Sequence, residues 1–229
     1  MSERSNTGST GRQAGIAYLV IIVFSLSGYP TLTRLLAGES HAVLERVAAN
    51  QTLFTLGFLA SGIGFLAWIV LGLLLYRLMS PAGQAPILLM LLTFVVAGTA
   101  TNLVALLQLL PLVSQGASGM DAGKVAAVVE RYNRLLLLAQ VFSGLWLFPF
   151  AWLVFRSRIA PRLLAICLTA GGVFYLLVFA TAFTPGLERS LAYQVVSTPT
   201  GILGFIGELG ICLWLLIKGP RLAVVPTPR

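Results

Sequence analysis

Apolar residues in this chain fall into six long runs, each separated from the next by a short polar stretch. The runs are Ala14 to Leu36, Leu53 to Tyr76, Pro86 to Val113, Leu135 to Phe155, Pro161 to Phe183 and Tyr193 to Ile217. A helix needs about 20 apolar residues to cross a hydrocarbon core of about 30 Å, and all six are long enough. Arg162 stands at the edge of the fifth run. Otherwise the last five hold no Lys, Arg or Asp, and only the sixth holds a Glu. The pattern predicts an all-α protein, a polytopic integral membrane helical bundle of six transmembrane helices with both termini on the same side. A polar tail over 1–13 precedes a transmembrane domain over 14–218, and a second tail follows over 219–229. The spans are expected near 14–36, 53–76, 86–113, 135–155, 161–183 and 193–217.

The first run has some marks of a signal peptide: Arg4 and Arg12 ahead of it, and a small-residue pair flanking Leu26 at Ser25 and Ser27. Apolar character continues to Leu36, beyond the 7–15 residues usual for such a region, so a retained span is expected. Pro81, Pro86 and Pro161 mark helix ends, because proline has no N–H and restricts the residue before it. Two connectors look helical. Ser40–Thr52 has Ser40 as its expected N-cap. Asp121 would cap a helix carrying Val125, Val128, Val129 and Tyr132 on one face, and that helix would run into the fourth span. Tyr76–Arg77 before Pro86–Leu89 echoes Phe155–Arg156 before Pro161–Leu164. Two basic turns under the same interfacial constraints explain the echo as well as a parallel repeat does.

Composition narrows the class. Hydrophobic residues make up 58% and charged residues 10%, against about 45–50% and about 25% in soluble domains. That excludes disordered, collagen-like, disulfide-scaffold and nucleic-acid-binding classes. The net charge of +8 does not form a basic face; the cations sit between apolar runs. Nine Lys and Arg fall on the side of the termini (Arg4, Arg12, Arg77, Arg156, Arg158, Arg162, Lys218, Arg221, Arg229). Six fall on the other side (Arg34, Arg46, Lys124, Arg131, Arg134, Arg189). This excess predicts a cell-membrane protein with cytoplasmic termini. The acids divide as Glu3 against Glu39, Glu45, Asp121, Glu130 and Glu188.

Candidate chemistry is sparse. His41 lies outside every run, so a histidine metal or haem site within the bilayer is excluded. Asp121 is the only Asp, which removes aspartyl dyads and aspartate-rich diphosphate sites. No GxxxxGK[ST] loop exists. Cys167 and Cys212 lie in apolar runs and read as small hydrophobes. No catalytic residue, metal or cofactor is expected. One position stands out: Glu208, ten residues before Lys218 and so about 15 Å from the interface, near mid-membrane, reads either as a proton or ligand site or as a hydrogen-bonding clamp between helices. An unpaired carboxylate there costs roughly 3 kcal/mol. Ser197, Gly201, Gly204, Glu208 and Cys212 share one helical face. Asn102, Gln140, Ser143 and Ser61 are candidate partners at depth. Gly201, Gly204, Gly207 and Gly210 are candidate packing positions. Pro149 should kink the fourth helix and leave the carbonyl of Leu145 without its usual donor. Gly57, Ser61, Gly62 and Gly64 give the second helix a small face. Trp68, Tyr76, Trp152 and Trp214 read as interface or packing aromatics.

Several stretches together resemble a bacterial family of six-helix membrane proteins, the domain of unknown function 4386 family. They are Leu53–Ser61 (LFTLGFLAS), Leu73–Arg77 (LLLYR), Ser143–Pro149 (SGLWLFP) and Phe155–Ser157. They continue with Ala160–Leu164 (APRLL), Gly171–Tyr175 (GGVFY) and Gly207–Gly219 (GELGICLWLLIKG). The resemblance implies the fold and a membrane address and brings no activity. Members often carry Asp where this chain has Ser61, so an Asp–Glu pair between the second and sixth helices is not implied here; the Glu of the closing motif is Glu208. The leading expectation is a multi-pass membrane protein that is not an enzyme and acts through membrane-partner or lipid interactions. Its partners would be the lipid bilayer, an unidentified membrane partner or a small hydrophobic ligand, and not nucleic acid. The alternatives are a small transporter or ligand-binding protein using Glu208, and a membrane enzyme on a lipid-soluble substrate.

Overall fold

A computed structural model describes residues 2–116, 120–184 and 186–219. Among them there is no β-strand, and six helical stretches are long and apolar enough to cross a membrane. The elements are α1 (Ser2–Leu35), α2 (Ser40–Ala49), α3 (Gln51–Met79), α4 (Gln84–Leu91), α5 (Thr99–Leu107), α6 (Leu110–Ser114), α7 (Ala122–Leu145), α8 (Leu147–Ser157), α9 (Arg162–Ala180) and α10 (Leu191–Lys218). A π-helical segment, Leu92–Gly98, joins α4 to α5. Of the charges weighed for orientation, the side chains of Glu3, Arg4 and Glu188, and all of Arg221 and Arg229, lie outside the described residues. So does the tail beyond Gly219.

Each spanning helix packs on its neighbours in sequence. α1 lies along α3; the third span contacts α3 and the fourth; α9 packs on α7, α8 and α10; α10 returns to α1. The result is an up-and-down ring of six closed by the first and last helices. At that closure Gly219 meets the backbone of Gly11 and Arg12, which places the start of the first span beside the end of the last.

Two buried clusters stack along the ring. The one nearer the termini draws on every span, including Tyr18, Leu75, Phe94, Trp146, Leu168 and Cys212. The other includes Leu32, Val43, Phe54, Leu109, Val125 and Tyr132 and takes nothing from α9 or α10. The turns after α3 and α8 both face the first cluster through Ala82, Ile159 and Ala160. A Cβ on Gly83 would lie 3.2 Å from the Trp152 ring, so the two basic hairpins pack together.

Three sequence expectations need correction or refinement. Ser40 does not cap α2: the extended residue ahead of the helix is Glu39, and no side-chain cap bond forms. Ser40 is one position inside the first turn, where its backbone is already helical. The third run is not one helix to Val113. It widens at Leu92–Gly98, where Thr99 Oγ1 donates to Phe94 O at 3.2 Å, and it ends at Leu107 before a second short helix carrying Pro111. Gly98 allows the wide turn, since a Cβ there would sit 3.0 Å from Thr93 O. The fifth helix stops at Ala180, short of Phe183.

The fourth span behaves as its residues suggest. Asp121 Oδ1 accepts from Lys124 N at 2.8 Å. That backbone bond, with the Lys124 side chain beside it, holds the Asp121 carboxyl below its ordinary range. The capped helix runs on to Leu145, breaks at Trp146 and resumes as α8, with Pro149 inside its first turn. Arg46 closes another end: its Nη1 donates to the carbonyls of Arg34, Leu35 and Ala37. A cation at the C-terminus of α1 also interacts favourably with the negative end of the helix dipole.

Candidate functional site

The glycines of α10 explain where Glu208 sits. Gly201 packs on Phe174, Gly204 on Gly171, Gly207 on Cys167 and Leu168, and Gly210 on Leu164. The numbers rise on one helix as they fall on the other, so α9 and α10 are antiparallel and touch along a seam of about two and a half turns. The tightest point is Gly171–Gly204, where a Cβ on Gly204 would fall 2.5 Å from the Gly171 Cα. Side chains in a helix lean toward its N-terminus. Tyr175 therefore leans toward Gly171 and Glu208 toward Gly204, and the two meet where glycine leaves room.

On the other flank α10 meets α1. Cys212 Sγ contacts the Gly15 carbonyl oxygen at 3.6 Å, and Gly15 lies against the backbone of Leu215 and Leu216. From α1 the Tyr18 hydroxyl donates to Glu208 Oε2 at 3.4 Å. Tyr175 is the second phenol within hydrogen-bonding reach of this carboxyl. Tyr18 is 1% exposed, while Tyr175 and Glu208 are half-buried. One carboxyl thus has a phenol beside it from each neighbouring helix, and the one from α1 donates to it. No cation pairs with it among the described ion pairs, which are Asp121–Lys124 and Glu130–Arg134.

The partners expected from sequence are elsewhere. Ser61 donates to Gly57 O at 2.9 Å and packs against Gly28 of α1. Asn102 Nδ2 donates to Gly98 O at 2.9 Å, and Gln140 Nε2 to Leu136 O at 3.4 Å. Each satisfies a carbonyl of its own span. Ser143 is half-buried on α7, and Ser197 is buried two turns from Gly204 on α10. Gly57 and Gly64 face Thr31 and Ser25 of α1, so the small face of α3 with Ser61 is its seam with α1. Trp214 Nε1 donates to Ile159 O at 2.7 Å and ties α10 to the turn before α9. Arg156 lies over the Trp152 ring.

Sequence reading missed Tyr18 and Tyr175. Tyr175 could have been found, since it stands one turn after Gly171 on the same face. Tyr18 carries no such signal, because nothing in the spacing pairs α1 with α10. A row of rings was also missed. Trp68 of α3 stacks on Phe94 at 4.8 Å, Phe94 on Trp146 at 4.1 Å and Trp146 on Phe150 at 5.1 Å. The row joins the π segment to the break before Pro149. Trp68 Nε1, buried in it, has no hydrogen-bond partner.

Comparison with known proteins adds a family and no activity. The family described as "Domain of unknown function (DUF4386)" matches residues 13–219. A protein of Archaeoglobus fulgidus, described as "Uncharacterized protein", is 28% identical over 98 residues, 42% of this chain and 54% of that one. The chain therefore spans about half the length of this curated relative. No solved structure matches.

Proposed function

The chain belongs to the DUF4386 family, and from that premise we propose that it is a multi-pass protein of the cell membrane, with cytoplasmic termini, that binds a proton or a small hydrogen-bonding ligand at Glu208. The observation that carries this reading is a mid-span carboxyl that accepts from the Tyr18 phenol of α1, has the Tyr175 phenol of α9 beside it, and pairs with no cation among the described residues. A polar clamp is worth about 0.6–2 kcal/mol between helices in lipid. Here α10 already touches α9 and α1 through glycine contacts, which gain their dispersion energy without any acid. An ionisable group retained at that depth is a functional candidate by default. Each phenol can donate to an anionic Glu208 and can rotate to accept from a protonated one or from a ligand. Catalysis is the weakest reading, because the titratable groups placed beside this carboxyl are phenols and a buried thiol, with no His, Lys or second carboxyl among the described residues there.

Thiol accessibility tests the reading. With Cys167→Ala and Cys212→Ala in place, Glu208→Cys is treated in sealed cells with a polar maleimide, beside a loop control, His41→Cys. Labelling at 208 is expected, because a ligand or proton needs an aqueous path to the carboxyl. A folded variant that stays unlabelled while the loop cysteine reacts would mean that Glu208 is sealed and only ties helices together.

A further inference from the structure

We propose that a second site, independent of Glu208, holds the head of a zwitterionic phospholipid between α2 and α7. A cavity of about 460 Å³ opens there, within the size range of ligand pockets. Its walls include Val43, Val125, Val129 and Leu137, and its rim carries Glu130 and Arg134. Val43 and Val125 are buried. The rim pair is an exposed (i, i+4) ion pair on α7.

The position follows from length. α7 and α8 run for 36 residues, about 54 Å at 1.5 Å per residue, against a hydrocarbon core of about 30 Å. The uncharged stretch Leu135–Phe155 fills that core. Arg134 therefore stands at its boundary, Leu137 lies one turn inside and Glu130 one turn outside. α7 enters from outside the core, so the Arg134 side chain leans outward toward Glu130.

The order of charges along this helix matches the order of charges in a zwitterionic lipid head. In such a head the phosphate lies nearer the hydrocarbon and the ammonium one step farther out. Arg134 presents guanidinium N–H groups at the inner level, suited to a phosphate. Glu130 presents a carboxylate about 6 Å farther out, suited to an ammonium. The valines back the head group, and Leu137 receives the start of an acyl chain. An anionic lipid lacking the ammonium would bring no cation to Glu130, whose carboxylate would then compete with the phosphate for Arg134.

Native mass spectrometry of the detergent-purified full chain, offered phosphatidylethanolamine or phosphatidylglycerol in mixed micelles, tests this. Wild type should retain phosphatidylethanolamine about fivefold better, the preference that one exposed charge pair supplies. Glu130→Gln should abolish the preference, and Arg134→Gln should weaken retention of both lipids. Ala126→Trp, which fills the cavity and leaves both charges, should lower retention of phosphatidylethanolamine. Equal retention of the two lipids by wild type, or a preference that survives Glu130→Gln or Ala126→Trp, would overturn the proposal. Elution as a single folded species qualifies each variant for comparison.

Discussion

Along the α9–α10 seam the helices meet backbone to backbone, whereas across the second, third and fourth spans they are separated by stacked rings. Lipid supplies no hydrophobic drive between helices, so both contacts must gain their energy from close packing. The first gains it by deleting side chains: Gly171 and Gly204 let two backbones touch. The second gains it by filling space: Trp68, Phe94, Trp146 and Phe150 lie nearly parallel in one row. The difference extends to polar groups. The glycine seam is built from regular helices, and its one acid accepts from the Tyr18 phenol with the Tyr175 phenol beside it. The ring row lies between a π segment and a proline break, and the Trp68 indole N–H within it finds no partner. Where helices are regular, side-chain directions are fixed and polar groups can be brought together. Where they are irregular, the rings set the spacing and an isolated donor can be stranded.

Three substitutions separate the two kinds of contact. Trp146→Ala should have the largest effect, since it empties the middle of the row and leaves Phe94 and Phe150 without a shared neighbour. A loss of about 3–5 kcal/mol is expected, read as a lower thermal midpoint in detergent. A midpoint close to wild type would mean that α8 re-seats and that the row is not what holds the fourth span. Gly204→Ala comes next, at about 1–3 kcal/mol, because the added methyl meets the Gly171 backbone, which cannot move aside like a side chain. Here the same thermal measurement, repeated at Gly62→Ala, supplies the contrast. A Cβ at Gly62 would meet only Leu106 Cδ2, at an ordinary 3.5 Å, so equal losses at the two sites would contradict the seam. Trp68→Phe should be the mildest. It removes a buried donor that costs free energy while unpaired, and it keeps a ring in the row. An unchanged or slightly raised midpoint is expected, and a clear drop would reveal a partner for the indole.

Much of this was legible in the residues. The six spans follow from run length, and the break at Trp146 from Pro149. The depth of Glu208 follows from its distance to Lys218. The α10 seam was visible in part, as Gly201 and Gly204 on one face with Ser197, Glu208 and Cys212; Gly207 and Gly210 continue at a three-residue spacing that winds round the helix. The partners of Glu208 were not visible in the same way. Ser61, Asn102 and Gln140 are polar and lie at depth, yet each turns to a carbonyl of its own helix, because that acceptor is always within reach. The π segment was also hidden, since a widened turn needs only one suitable glycine and neighbours that press on it.

The sequence by itself determined the solvent, the number of crossings and the heights of the charged and titratable groups. Those depend on where residues lie along a helix of fixed rise. Only the tertiary structure decided which helices are neighbours, and with that which side chains meet Glu208. Facing helices are set by packing summed over whole surfaces: the closure of α1 on α10, the glycine contact with α9 and the antiparallel lean of Tyr175. No spacing within one segment encodes a contact made between three.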